Sequence, residues 1–154
     1  APKFGEHLWD LGTGSGSIVI EWLLSHPSVT ATAVEANSER AARAAHNAMT
    51  LGVERLDVIT ANSIDVLDDL PAPDVVFVGG GLTEELLDAL WNIMPVGCRF
   101  VTNAVTLESE VIVAQAHAAR GGELMRIEIA NSKALGTKRG WSSAYPIVQW
   151  SVTR

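Results

Sequence analysis

The chain has 154 residues, of which 47% are hydrophobic, and its mean hydropathy is +0.19. These values favour one globular domain with a buried core and exclude an intrinsically disordered chain. The formal net charge of −7 disfavours duplex nucleic acid as a partner, because such partners need a basic surface.

No apolar run approaches the roughly 20 residues that a membrane span requires, so we expect no membrane partner. The single cysteine, Cys98, cannot form an internal disulfide, and no signal-peptide pattern opens the sequence. We therefore expect a soluble, cytoplasmic protein.

Apolar runs alternate with helical patterns along the chain, which is typical of βαβ units and of a parallel sheet covered on both faces. The predicted strands are His7 to Leu11, Val29 to Glu35, Leu56 to Thr60, Asp74 to Val78, Cys98 to Asn103, Glu123 to Ala130 and Ala144 to Thr153. The predicted helices are Ser15 to Ser25, Ser38 to Leu51, Thr83 to Met94 and Thr106 to Arg120, with a short helical piece near Ile64 to Leu70.

The last two predicted strands are separated only by a loop from Asn131 to Ser143, so we expect them to pair antiparallel after five parallel strands. A seven-stranded, mostly parallel sheet with an antiparallel last strand and helices on both faces resembles the Rossmann-like fold of class I methyltransferases. The expected fold class is therefore α/β, in a single domain spanning residues 1–154.

A glycine-rich run, Asp10-Leu11-Gly12-Thr13-Gly14-Ser15-Gly16, joins the first strand to the first helix. Its glycines allow a tight turn and a close approach to a nucleotide-like ligand at the helix N-terminus. A dinucleotide site would place a third glycine where Ser17 stands, and Asp10 would repel a pyrophosphate. Asp10 suits instead a ligand with an ammonium and a sulfonium, such as S-adenosylmethionine, although the run alone could also be a structural turn. The candidate cofactor-binding residues here are Asp10, Gly12, Thr13, Gly14, Ser15 and Gly16.

Two further positions extend this predicted cofactor site. Glu35 ends the second strand, where a carboxylate can accept both ribose hydroxyls, and capping of the next helix is the alternative. Asn62 and Ser63 follow the third strand, where Asn62 could contact the adenine or could belong to a turn.

The substrate side is predicted from the ends of the next two strands. Gly79, Gly80 and Gly81 leave the fourth strand at the sheet edge where ligands bind, and they lack the Asn/Asp-Pro-Pro-aromatic clamp common in enzymes that methylate nucleic-acid bases. Asn103 ends the next strand and should point into the same crevice, unless it starts a helix. The four histidines show no ligand spacing, so we assign no metal.

The end of the chain is electrostatically distinct. Residues 129 to 154 contain four basic residues and no acid, whereas residues 1 to 128 hold all 18 acids. Lys133, Lys138, Arg139 and Trp141 lie in the predicted loop and could contact a flat anionic substrate. A merely solvated loop, or an oligomer contact through Trp141, is the alternative.

Five segments resemble the decarboxylating precorrin methyltransferases of cobalamin biosynthesis, either the free-standing CbiT type or the C-terminal domain of CobL. These segments are Leu8 to Ser17 with Ile20-Glu21-Trp22, Ala33-Val34-Glu35 with Asn47 and Gly52, Leu70 to Asp74 with Phe77 to Gly80, Asn103 to Glu108, and Pro146 to Trp150. Together they span most of the chain.

The resemblance implies methylation at carbon 15 of a precorrin, an anionic tetrapyrrole, and decarboxylation of the acetate at carbon 12. It implies S-adenosylmethionine binding by Gly12 to Gly16, Glu35, Asn62 and Ser63, and a homotetramer. Carbon 5 would be methylated by a fused N-terminal methyltransferase domain. Family members also carry a cofactor-covering segment before the first strand, so we expect this chain to be the C-terminal part of a longer one that lacks that segment.

Three other functions stay open from the sequence. They are another small-molecule or tRNA methyltransferase, a noncatalytic module that binds the cofactor or assembles with a partner, and a dinucleotide-binding oxidoreductase, which Ser17 disfavours.

Overall fold

The computed structural model describes residues 1–154 and contains nine strands and four α-helices. In chain order the elements are β1 (His7–Leu11), α1 (Ser17–Ser25), β2 (Thr30–Glu35), α2 (Ser38–Thr50), β3 (Asp57–Thr60), β4 (Val75–Val78), α3 (Glu84–Ile93), β5 (Arg99–Ala104), α4 (Leu107–Arg120), β6 (Glu123–Ile127), β7 (Ala130–Leu135), β8 (Lys138–Ser143) and β9 (Ile147–Thr153). None of the helices has the length and apolar character needed to cross a membrane.

Seven strands form the main sheet in the order β3-β2-β1-β4-β5-β9-β6. Strands β1 to β5 pair in parallel, while β9 pairs antiparallel with both β5 and β6. The predicted sheet with a reversed last strand is therefore confirmed. The chain builds outward from β1 to β3 and then returns to β4, which creates a crevice beyond the carboxyl ends of β1 and β4.

Two hydrophobic cores cover the opposite faces of this sheet. One cluster of 18 buried residues packs α3 and α4 against the sheet around Leu90, Phe100 and Trp150. The other, of 11 buried residues, packs α1 and α2 around Leu23 and Val29. Helices on both faces leave the strands buried on both sides, which explains their nearly continuous apolar sequences.

The helix starts follow the capping residues in the sequence. The side chains of Asn37, Thr83 and Thr106 accept backbone hydrogen bonds at the starts of α2, α3 and α4. The predicted helices thus agree with the structure to within two residues at each end.

The predicted loop from Asn131 to Ser143 is wrong, because these residues form most of a separate two-stranded hairpin of β7 and β8. Gly136, with φ of 62°, begins the two-residue turn between the strands. Every residue of β7 is exposed, so neither face needs the alternating apolar pattern by which a strand is usually predicted.

Three smaller predictions also differ from the structure. The helical piece predicted near Ile64 to Leu70 consists of two short 3-10 turns, Ser63–Asp65 and Leu67–Asp69. The strand predicted to reach Ala130 ends at Ile127, and the last strand begins at Ile147 rather than at Ala144. The chain leaves the main sheet at these points to form the hairpin.

Candidate functional site

A loop with three left-handed glycines leaves β1 at the edge of the crevice. Gly12, Gly14 and Gly16 have φ angles of 70°, 60° and 83°, in a region that other residues adopt only at a cost. The Gly12 amide donates to the carbonyl of Val34 at 2.8 Å, which ties the loop to the end of β2. The loop therefore has the tight turns that the sequence predicts.

The start of α1 is held against α2 by the remainder of this loop. Asn47 of α2 donates from its side-chain amide to the carbonyl of Ser15 at 3.0 Å. A Cβ on Gly16 would lie 3.2 Å from the Cβ of Ala44, a tight contact that glycine avoids where the two helices approach each other. Ser15 and Gly16 thus shape the loop from the helix side.

Asp10 is buried beneath the loop, with an exposed fraction of 1%. Its Oδ2 accepts hydrogen bonds from the Thr13 hydroxyl at 2.7 Å and from the Val19 amide at 3.2 Å. Burial raises the pKa of Asp10 to about 6, the bonds from Thr13 and Val19 oppose this, and the nearby charge of Glu35 adds to it. Its other oxygen, Oδ1, is buried without a partner, so the site contains an unsatisfied acceptor.

Glu35, at the end of β2, faces the glycine loop and is only 3% exposed. Its Oε2 accepts a hydrogen bond from the backbone amide of Gly14 at 2.9 Å, and its Oε1 accepts one from the backbone amide of Asn37 at 2.9 Å. Arg40 donates to the same Oε1 from Nε at 3.1 Å and from Nη2 at 2.7 Å. Burial alone would raise the pKa of the Glu35 carboxyl, but the hydrogen bonds and the Arg40 charge hold it below its usual value.

An open cavity of about 380 Å³ lies between the glycine loop and the residues that follow β3 and β4, a size within the range of small-molecule pockets. Asn62 borders it at the start of a 3-10 turn, and its side chain makes no capping hydrogen bond there. The predicted residues that line the cavity together are Gly12, Gly14, Glu35, Asn62, Ser63, Gly80 and Gly81.

The other predicted residues do not line this cavity. Asp10 and Thr13 lie beneath the loop, and Gly79 packs against the Gly12 carbonyl, which would lie 3.3 Å from a Cβ on Gly79. Asn103 is the penultimate residue of β5 and accepts a hydrogen bond at Oδ1 from the Gln149 side chain at 2.9 Å. It does not start α4, whose N-cap is Thr106.

The hairpin of β7 and β8 places the four predicted substrate-contacting residues near the end of the chain on two opposite faces. Facing residues of a hairpin share a side, and neighbours along a strand alternate. The register therefore places Lys133 and Lys138 on one face, and Arg139 and Trp141 on the other. Trp141 is 79% exposed, so no contact within the chain buries it.

Three cavity residues escape the sequence analysis: Ala36, Arg40 and Leu86. Arg40 lies five residues after Glu35, across a strand-helix junction where the helical spacing rules do not apply. Ala36 could be predicted as a cavity residue only because it follows Glu35. Leu86 could be predicted only because it lies in the first turn of α3, the helix that follows the Gly79 to Gly81 run. No cluster of three or more His, Cys, Asp or Glu that could hold a metal ion is present.

Comparisons with known proteins show the family to which this chain belongs. A family model described as "Precorrin methyltransferase domain" matches residues 1–154. A Sinorhizobium protein named precorrin-6Y C(5,15)-methyltransferase [decarboxylating] is 44% identical over 155 aligned residues, which cover 100% of this chain and 38% of that protein. The chain thus spans about two fifths of the length of the curated relatives it matches.

Solved structures show the same fold. The C-terminal domain of a precorrin-6Y C5,15-methyltransferase from Rhodobacter capsulatus superposes with a TM-score of 0.95 at 44% identity, covering 100% of this chain and 83% of that one. An S-adenosylmethionine-dependent O-methyltransferase from Thermotoga maritima superposes with a TM-score of 0.75 at 18% identity, covering 99% of this chain and 61% of that one, which shows a shared fold alone. The fold is that of the class I methyltransferases, and the chain belongs to the precorrin methyltransferase domain family.

Proposed function

We propose that the cavity binds S-adenosylmethionine. The observation that carries this proposal is the buried Glu35 carboxylate on the Gly14 amide, at the mouth of a loop that also encloses Asp10. Two acids beside a glycine loop favour a ligand that carries positive charge, with Glu35 in the cavity wall and Asp10 beneath the loop. When bound, this cofactor supplies a methyl group activated by its sulfonium.

In this proposal Gly12, Gly14, Glu35, Asn62 and Ser63 contact the cofactor directly. The Gly14 turn brings backbone close to the ligand, and the Asn62 amide offers a donor and an acceptor to the adenine edge. The other predicted residues stabilise the conformation of the glycine loop without lining the cavity. They are Asp10, Thr13, Ser15 and Gly16.

We further propose that the reaction is methylation of carbon 15 and decarboxylation of the carbon 12 acetate of a precorrin. The names of relatives that are 42% to 44% identical support this proposal. Methyl transfer from a sulfonium to an electron-rich carbon needs mainly alignment and exclusion of water, so the lack of an obvious acid-base pair in the cavity is compatible with it. Because the curated relatives are more than twice as long as this chain, methylation of carbon 5 is assigned to a fused N-terminal methyltransferase domain.

The substrate is proposed to lie beyond the carboxyl ends of β4 and β5. A Cβ placed on Gly80 or Gly81 would have no other atom within 4 Å, so this turn leaves open space for a flat macrocycle. Gly79 shapes the turn, and the Asn103 amide lies on the next strand of the same sheet edge. The hairpin cations Lys133, Lys138 and Arg139, with Trp141, are proposed to attract the carboxylates of the macrocycle.

The exposed hairpin also supports a homo-oligomer, with a tetramer as the expected state. Leu135 and Trp141 are 72% and 79% exposed on opposite faces of a ribbon whose outer edges are unpaired. Such ribbons are marginally stable alone and commonly pair with another chain. A cytoplasmic location stays a prediction.

The decisive experiment is mass spectrometry of a precorrin incubated with S-adenosylmethionine and the protein in its full-length context. Gain of one methyl group together with loss of carbon dioxide is the expected result. A Glu35→Gln variant should lose most of the product, and Glu39→Gln, an exposed acid one turn away on α2, should retain it. An unchanged substrate mass with the wild-type protein would contradict the proposal.

A further inference from the structure

The ion pair between Arg40 and Glu35 has an unusual arrangement, because two of the three guanidinium nitrogens contact one carboxylate oxygen. Nε and Nη2 of Arg40 lie 3.1 Å and 2.7 Å from Oε1 of Glu35. The Asn37 amide donates to the same oxygen at 2.9 Å. Three donors therefore saturate Oε1, because a carboxylate oxygen has about two lone-pair sites.

The second oxygen of Glu35 is in a different position. Oε2 accepts a single hydrogen bond, from the Gly14 amide at 2.9 Å, so it retains capacity for one more donor. Both Glu35 and Gly14 line the cavity. A ligand hydroxyl entering the cavity therefore finds Oε2 available and Oε1 occupied.

We infer that Arg40 is a positioning residue of the cofactor site, which clamps Oε1 of Glu35 and thereby presents Oε2 alone to one ribose hydroxyl. This inference rests on the proposed binding of S-adenosylmethionine. It replaces the expectation that Glu35 accepts both hydroxyls through both oxygens, since a two-oxygen contact would require Arg40 to leave.

The alternative, in which Arg40 obstructs the cofactor site and must move away before binding, predicts the opposite effect of its removal. A clamp fixes a carboxylate that is 3% exposed and keeps it charged, so its loss should weaken binding. A block competes with the ligand, so its loss should strengthen binding. The Arg40 side chain is 56% exposed and can be replaced without opening the core.

The test measures the Kd of S-adenosylhomocysteine for this cavity by calorimetry between pH 6 and pH 8, with the protein in its full-length context. Arg40→Met should weaken binding by roughly 10-fold at pH 8, as expected for a lost charge-assisted contact. Arg40→Lys keeps the charge and should recover much of the affinity. Arg43→Met is the matched control, because Arg43 is exposed on the same helix and makes no salt bridge, and its Kd should stay within about twofold of wild type.

The pH dependence separates a clamp on charge from a packing effect. The charged groups that act on Glu35 are Arg40 from α2 and Asp10 from β1. Without Arg40, burial favours the protonated carboxyl, which no longer accepts a hydroxyl as well. The Kd ratio of Arg40→Met to wild type should therefore widen as pH falls toward 6.

Two further measurements show whether Arg40 acts through Glu35. In a Glu35→Gln background, Arg40→Met should change the Kd little, because the carboxylate that it clamps is gone. The Kd of S-adenosylhomocysteine should also be compared with the Kd values of its 2′-deoxy and 3′-deoxy analogues. Glu35→Gln should leave the Kd unchanged for only one of the two analogues, the one that lacks the hydroxyl bound by Oε2.

The outcomes distinguish the inference from the proposed function. If the wild-type protein in its full-length context fails to bind S-adenosylhomocysteine in this cavity, the cofactor proposal and this inference are both overturned. If wild type binds and Arg40→Met binds equally well or more tightly, or shows a loss that does not vary with pH, the inference alone is overturned.

Discussion

The carbonyl oxygen of Gly80 occupies the place where a side chain on Gly12 would have to be, since a Cβ built there lies 2.6 Å from it. Gly12 follows β1 directly and Gly80 follows β4, so this contact joins the loops from the two strands that flank the crevice. The loop proposed to bind the cofactor and the loop proposed to face the substrate are therefore in direct contact through backbone atoms. No side chain fits between them.

Gly12→Ala should therefore cost more stability than backbone strain alone explains. Alanine at φ of 70° costs about 1 to 2 kcal/mol from the left-handed conformation, and the clash with the Gly80 carbonyl adds to this because that atom is backbone. Gly52→Ala is the matched control, since Gly52 has φ of 74° but no atom within 4 Å of its Cβ position. Urea unfolding of both variants, with S-adenosylhomocysteine binding by calorimetry, checks the prediction. Equal losses of stability would mean that the two loops separate freely.

Asp10 should make the stability of the protein depend on pH in an unusual direction. Its pKa is raised from 3.8 to about 6, so the folded state holds the Asp10 proton more tightly than the unfolded state does. The resulting destabilisation is absent below pH 3.8, develops as pH rises, and is complete above about pH 6. Asp10→Asn removes this charge while keeping an oxygen acceptor for Thr13 and Val19.

The stability of Asp10→Asn relative to wild type should therefore rise between pH 4 and pH 7, by an amount on the order of 3 kcal/mol from the size of the pKa shift. Denaturant unfolding at a series of pH values measures this difference. Asp57→Asn, at an exposed carboxyl in β3, should show no comparable trend. If the difference in unfolding free energy between Asp10→Asn and wild type does not vary with pH, the pKa of Asp10 is not raised in the folded state.

The main sheet can be predicted from the sequence because its strands and helices bury apolar residues in regular patterns. The predicted bounds of β1 match the structure to the residue, and the cofactor loop is recognisable because glycine is needed where φ is positive. The hairpin escapes prediction because nearly all its residues face solvent, so burial imposes no pattern on them. The two-residue Gly136-Thr137 connection is its only local signal.

The roles of individual site residues are harder to predict than their places. Asp10 and Glu35 both stand at strand ends, yet Asp10 is turned beneath the loop and only Glu35 lines the cavity. The pairing of Arg40 with Glu35 depends on the angle at which α2 leaves β2, which is a tertiary property. A sequence pattern can place a residue at a sheet edge, but neighbouring helices decide which way its side chain points.

The register of the hairpin predicts unequal contributions from its basic residues. Lys133 and Lys138 lie on the face opposite to Arg139 and Trp141, so a rigid flat substrate on one protomer can meet only one pair. The double variants Lys133→Ala/Lys138→Ala and Arg139→Ala/Trp141→Ala should differ, one weakening precorrin binding by about 10-fold and the other by less than about twofold. Binding titrations at low and high salt measure this, with the salt dependence reduced only in the weakened variant if its cations supply the attraction. Equal losses from both pairs would contradict a single-face contact.

Asn103 and Gln149 should act as a pair in the proposed substrate site. The two residues face each other across β5 and β9, and the side-chain amide of Gln149 donates to the side-chain Oδ1 of Asn103 at 2.9 Å. This bond fixes the Asn103 side chain, so its own N–H groups are left to face a carboxylate or carbonyl of the substrate. Asn103→Ala should therefore reduce kcat/KM for the precorrin by roughly 10-fold or more, as for loss of a hydrogen bond to a charged group, while Gln149→Ala should reduce it by less.

The double variant should be no worse than Asn103→Ala alone, because Gln149 would have nothing left to orient. The Kd of S-adenosylhomocysteine should be unchanged in all three variants, since neither residue lines the cofactor cavity. Gln115→Ala, at an exposed glutamine of α4 that makes no side-chain hydrogen bond, provides the control for loss of an amide. Additive losses from the two single variants would mean that Gln149 contacts the substrate itself rather than positioning Asn103.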